Sequence, residues 1–271
     1  VKLPGTAGRI PALGLAVLLG ACSGSAPGAS PPAAGPSSPA ASSGPEWGYV
    51  ALGDSISTGF RTGAGFPALF AERIQDDTEA TVVVENRAVN GATSDDVLAL
   101  IKTDEELRDV LRDAEVITIN EPAGNDLDPA RTQVLLDTCG GADGRECMRA
   151  AVKHVAANLR RIVNAIVALR GPGDAIIRLV GDYYPFVADD VRAGVFESLL
   201  PFAEELDADW RGLAQEHHLM YVDVFEAFNG PDHHGDPAEA GLVIPHDAHP
   251  TAEGHARIAD LLADAGYAPL A

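Results

Sequence analysis

From Trp47 to the C-terminus, short apolar runs alternate with longer amphipathic stretches, which restricts the chain to repeated βα units around a mainly parallel sheet. The runs at 48–52, 81–85, 115–119, 175–180 and 219–223 are rich in β-branched or aromatic residues and bounded by polar or glycine-rich segments, as strands are. Helical patterning covers 65–75, 95–101, 105–112, 148–169, 191–217 with an interruption, and 251–265. Five strands with helices between them predict one α/β domain, a three-layer α/β/α sandwich with a five-stranded parallel sheet. A chain of 271 residues, 46% hydrophobic, has enough apolar surface for one such core. Ligands of open α/β sheets bind outside the carboxyl ends of the strands, so chemistry is expected in the loops that follow them.

The residues before Trp47 read as processing signal and tether. Lys2 and Arg9 precede the apolar run 13–19, which is too short to remain as a membrane span and suits a signal-peptide core. Leu19-Gly20-Ala21-Cys22 follows and resembles the bacterial lipobox, which implies cleavage after residue 21 and lipidation of Cys22. Residues 23–45 are almost entirely Ser, Ala, Gly and Pro, a composition that cannot bury apolar surface and so forms an extended tether. The expected organisation is a signal peptide at 1–21, a lipidated cysteine and tether at 22–46, and a folded domain at 47–271. Such a protein is extracytoplasmic, lipid-anchored to a bacterial cell membrane or secreted, and the anchor is its expected membrane contact.

Charge and cysteines narrow the partners. With Lys+Arg 19 against Asp+Glu 40, the formal charge of -21 repels phosphate backbones and argues against nucleic acid. A solvated surface accounts for most of that charge, and any selection it exerts favours cationic or neutral substrates. Cys139 and Cys147 flank a glycine-rich stretch and, in an exported protein, are expected to form a disulfide. The pairs His217-His218 and His233-His234 lack the carboxylate spacing of a metal site, and no metal is expected. His255 and Asp260, on the last helical stretch, are expected at the surface.

Four loops carry residue types suited to acyl chemistry. The first is Gly53-Asp54-Ser55-Ile56-Ser57-Thr58-Gly59, directly after the opening strand. A serine hydroxyl becomes a useful nucleophile only where the backbone presents it to a base and to oxyanion donors, and a strand-to-helix turn beside glycine can do so. Alone, Gly-Asp-Ser is a common turn tripeptide, and its default reading is Ser55 as a helix cap. The second loop, 86–95, contains Asn90-Gly91, where glycine permits close backbone approach, and Ser94 or Asp95 can cap the next helix. The third contains Gly124-Asn125-Asp126, a carboxamide donor at a strand end. The fourth is Pro245-His246-Asp247-Ala248-His249-Pro250-Thr251, whose histidines suit general-base chemistry near neutrality. Tyr183 and Tyr184, after the fourth strand, are candidates to line a substrate crevice.

Together the four loops resemble, in order, the sequence blocks of the SGNH (GDSL-type) hydrolase superfamily of esterases and lipases, over nearly all of residues 50–258. The resemblance implies a flavodoxin-like SGNH hydrolase fold with Ser55 as nucleophile and His249 as base. It also implies an oxyanion hole from the Ser55 N–H, the Gly91 N–H and the Asn125 side chain, and no cofactor. Two departures stand out. The family places an aspartate three residues before the histidine, where this chain has His246; Asp247, two residues before, orients His249 if the loop is one residue tighter, or else a backbone carbonyl does so. The stretch Asn120-Glu121-Pro122-Ala123 interrupts the usual run from strand to glycine turn, and reshapes the oxyanion side or lines the acyl pocket. The expected function is a serine esterase acting on lipid, short-acyl or acetylated-glycan esters. An acyltransferase or carbohydrate deacetylase of the cell envelope shares this chemistry, and a non-catalytic glycan- or lipid-binding lipoprotein would share only the scaffold. Acyl length, alcohol and oligomeric state leave no sequence signature.

Overall fold

A computed structural model describes residues 44–171 and 173–271. The expected signal peptide, Cys22 and nearly all of the expected tether lie outside the described residues. In chain order the elements are β1 (Glu46–Leu52), α1 (Ser55–Thr58), α2 (Phe66–Thr78), β2 (Thr81–Asn86), α3 (Ser94–Thr103), α4 (Glu105–Asp113), β3 (Val116–Asn120), α5 (Gly124–Leu135), α6 (Glu146–Arg170), β4 (Ile176–Val180), α7 (Val187–Ala193), α8 (Phe196–Glu216), β5 (Met220–Val222), α9 (Val224–Asn229) and α10 (Ala252–Asp264). The five strands form one parallel sheet in the order β2-β1-β3-β4-β5.

Period-two alternation along the strands sends side chains to two separate cores. Val50, Leu52, Ile117, Ile119 and Leu179 pack against Val97, Ile101, Leu107, Leu111, Leu159, Ile162 and Trp210 from α3, α4, α6 and α8. On the opposite face Tyr49, Ala51, Val116, Ile176, Val180 and Val222 meet Phe66, Phe70 and Ile74 of α2 and Ile258 and Leu262 of α10. All five residues of β3 are buried, as a central strand covered on both sides requires. These are the three layers the alternation predicts.

Three short or irregular helices escape the sequence pattern. α1 has only four residues, α9 six, and α5 carries Pro129 and a polar first turn that reads as loop. The stretch expected at 191–217 is two helices, α7 and α8, broken where Gly194 adopts φ 71. The cap of α3 is neither Ser94 nor Asp95 but Thr93. Its extended backbone lets its hydroxyl accept from the Asp96 N–H at 3.3 Å while Asp96 accepts from the Thr93 N–H at 2.9 Å, a capping box.

Cys139 and Cys147 form the expected disulfide, with Cα atoms 5.0 Å apart. It ties the segment after α5 to the start of α6 and packs in a third cluster with Met148, Tyr184, Phe196 and Phe225. Closing so short a loop contributes on the order of 2–3 kcal/mol through chain entropy. Replacing both cysteines by serine is therefore expected to lower Tm by several degrees in a thermal melt, with the secondary structure retained.

Candidate active site

The carboxyl ends of β1, β3 and β4 lie side by side because the sheet order makes these strands neighbours. Ser55 starts α1 directly beyond β1, after a turn through Gly53 at φ 138. A Cβ there would come within 2.8 Å of both Asn120 Cβ and Ser57 Oγ, so glycine is required. Asp54 caps the turn by accepting the Ile56 N–H at 3.0 Å, and its other oxygen accepts from Asn125 Nδ2 at 3.1 Å.

His249 approaches from the loop before α10, and its Nε2 lies 2.9 Å from Ser55 Oγ. On the far side of the ring, Nδ1 is hydrogen-bonded to Asp247 Oδ1, which also accepts the His249 backbone N–H at 3.1 Å. The loop is one residue tighter than the family spacing: Asp247 N–H donates to Ile244 C=O and Ile244 N–H to His249 C=O, both at 3.0 Å. His246, with φ 59, turns outward to Asp189 and takes no part in orienting His249.

Other contacts fix this loop. The Tyr183 hydroxyl donates to Ala248 C=O at 2.6 Å. The Phe60 ring lies 4.9 Å from the His249 ring, and Arg61 reaches the outer oxygen of Asp247 at 3.3 Å. Partial burial opposes ionisation of Asp247. The His249 ring hydrogen bond and charge, its backbone N–H and Arg61 outweigh that burial and hold the carboxyl below its ordinary value. No local sequence signal announces Phe60 or Arg61, since their contacts are made across the fold.

Of the three implied oxyanion donors, Ser55 and Asn125 border the same cavity, whereas Gly91 lies in the β2–α3 loop, which is tied to the serine turn by the Val89 N–H donating to Gly53 C=O at 3.2 Å. Gly91 is exposed at φ 77, and neither its N–H nor that of Ser55 has a protein acceptor among the described residues. Asn125 sits on the first turn of α5 rather than in a loop, and its amide donates to both Asp54 and, at 2.9 Å, Ala92 C=O. Both amide hydrogens thus have acceptors, so donation to a third oxygen requires sharing one of them.

A cavity of about 330 Å³ opens at Ser55 and His249 and runs between α5, α8 and the β4–α7 loop. Leu127, Met148, Leu199, Leu206 and Phe225 make its apolar wall, and both Tyr183 and Tyr184 line it. Carboxyls stand on the sheet side. Burial pushes Asp54 up to about 6 and, with the nearby charge of Asp54, Asp182 up to about 7. Burial, then the charges of Asp182 and Asp207, holds Glu121 well above its ordinary value. His255 is not at the surface: it is fully buried, neither ring nitrogen has a hydrogen-bond partner among the described residues, and burial pushes it down to about 4. Among the described residues no group of three or more His, Cys, Asp or Glu could hold a metal, and no helix is long and apolar enough to cross a membrane.

Asp54 and Asp182, raised to about 6 and about 7, hold protons in the folded chain that the unfolded chain has released, so their contribution to stability falls as pH rises from about 4 to 7, and Glu121, also raised, acts in the same direction. His255, depressed, opposes this between about 4 and 6.5. Removing the ionisable group with Glu121→Gln is expected to raise Tm at pH 8 by roughly 2–4 °C, the equivalent of about 1 kcal/mol in a domain of this size. The gain should shrink at pH 5; melts at the two pH values check it.

Residues 51–257 match the GDSL-like Lipase/Acylhydrolase family. The chain belongs to this family. Comparison with curated proteins returns no match. Among solved structures, the lipase Lip_vut3 from a goat rumen metagenome aligns with a TM-score of 0.66 and 23% identity, covering 83% of this chain and 100% of that one. An extracellular lipase from Streptomyces rimosus aligns at 0.59 and 23%, covering 81% and 99%. A mutant of Axe2, an acetyl-xylooligosaccharide esterase from Geobacillus, aligns at 0.58 and 20%, covering 82% and 94%. At these identities the likeness shows the GDSL hydrolase fold and not a substrate.

Proposed function

We propose that this GDSL-family chain is a serine esterase that cleaves carboxylic esters through an acyl-enzyme on Ser55. The carrying observation is the continuous hydrogen-bonded line from Ser55 Oγ through His249 to Asp247. His249 Nε2 takes the hydroxyl proton as Oγ attacks the ester carbonyl carbon. The oxyanion faces the Ser55 and Gly91 N–H groups and the Asn125 amide. Collapse breaks the carbon–oxygen bond to the alcohol, which leaves with the proton from His249. Water, deprotonated by the same imidazole, then attacks the acyl carbon and restores Ser55. Asp247 keeps the ring in the tautomer with Nε2 free and stabilises the imidazolium.

An altered aspartate spacing would suit a non-catalytic scaffold, but the contact between Asp247 and His249 Nδ1 supports the catalytic reading. Acyl transfer to another alcohol, or deacetylation of a glycan, uses the same acyl-enzyme. Product analysis separates transfer from hydrolysis: with a short p-nitrophenyl ester and added sugars or alcohols, both release p-nitrophenol, but hydrolysis leaves the acyl group as free acid, whereas transfer yields a new ester. Absence of any acyl product would contradict the proposal. The disulfide supports an extracytoplasmic location, in line with the proposed lipid attachment at Cys22.

A further inference from the structure

Glu121 has no place in the acyl-transfer chemistry, yet it is 2% exposed and lines the cavity that opens at Ser55. It follows β3 directly, so the sheet order sets it between Asp54, beyond β1, and Asp182, beyond β4. Neighbouring strands lie about 4.8 Å apart, close enough for carboxylates to repel. Among the described residues no Lys, Arg or His pairs with Glu121 or Asp182; each is reached only by a backbone N–H, that of Asp182 or Tyr183. The cavity's Arg131 is committed to Asp190 at 2.9 and 2.5 Å and lies 4.1 Å over the Phe186 ring. Arg211 is committed to Asp207 and Asp223. The cavity therefore brings two carboxyls without a cationic partner together with the aromatic side chains of Tyr183, Tyr184 and Phe225. Carboxyls attract a cation and aromatic side chains suit an apolar periphery around it, which together point to one chemical class.

We infer that this cavity is a subsite for an ammonium group, so that the preferred ester carries a primary to quaternary ammonium on the part that enters it, with Glu121 and Asp182 as its counter-charges. The inference rests on Ser55 being the reacting centre only for which molecule is cleaved, not for whether the cation binds. Desolvation raises the proton affinity of both carboxyls, and an ammonium group bound beside them would compete with those protons. The chain's formal charge of -21 adds a field that draws cations toward the opening.

The test compares choline with its neutral isostere 3,3-dimethylbutan-1-ol, by calorimetry on the full chain at fixed ionic strength. Choline is expected to bind at least about tenfold more tightly, a difference of ~1.4 kcal/mol. Glu121→Gln and Asp182→Asn should each bring the ratio toward one, and the neutral alcohol serves as the control for a misshapen cavity. Equal or tighter binding of the alcohol overturns the inference, as does a choline preference that survives both substitutions. The corresponding acetate esters separate the two readings. A choline preference in binding without hydrolysis of either ester would contradict the esterase and leave the subsite standing, whereas equal hydrolysis and equal binding would do the reverse.

Discussion

Replacing Ser55 by alanine should reduce hydrolysis of a short p-nitrophenyl ester by at least about 10³-fold, with Tm and secondary structure unchanged. The substitution removes one oxygen whose side-chain partner is His249 Nε2, so little packing is lost. The residual rate would come from the Ser55 and Gly91 N–H groups and the cavity, which still bind and polarise an ester. Steady-state rates beside a thermal melt check the expectation; a variant as active as the parent would require a different nucleophile.

His249→Ala is expected to cause a loss of similar size, because the Ser55 hydroxyl is a weak nucleophile without a base 2.9 Å away. The two effects should not add. Once the hydroxyl or its base is gone the same step is lost, so Ser55→Ala with His249→Ala should be nearly as active as either alone. Asp247→Asn should cost less than either, since it leaves the serine and imidazole in place and disturbs the tautomer and its charge partner. A double variant whose loss is the product of the single losses would mean that the two side chains act independently, contrary to the proposed mechanism.

How much of this was legible in the sequence depends on the range of each interaction. Strands and long helices announce themselves through periodicity, so the sheet and its two covered faces follow from the pattern of 48–52 or 148–169. Short helices carry no period, and α5 was obscured by Pro129 and a polar first turn, which is why Asn125 reads as a loop residue although it starts a helix. Ser55 and His249 were legible because glycine, proline and capping residues mark their loops. Arg61 and Tyr183, which hold the base loop, touch it only through the tertiary fold. The burial of His255 was hidden because a lone histidine on an amphipathic helix gives no sign of which face it occupies.

If folding activates a single hydroxyl, that of residue 55, a fluorophosphonate should find it, and intact-mass analysis with peptide mapping reads the outcome. One phosphonyl adduct per chain is expected, on the peptide containing Ser55, absent from Ser55→Ala and strongly slowed in His249→Ala. A chain that takes up no label, or one that is labelled equally well when Ser55 is alanine, would contradict that activation.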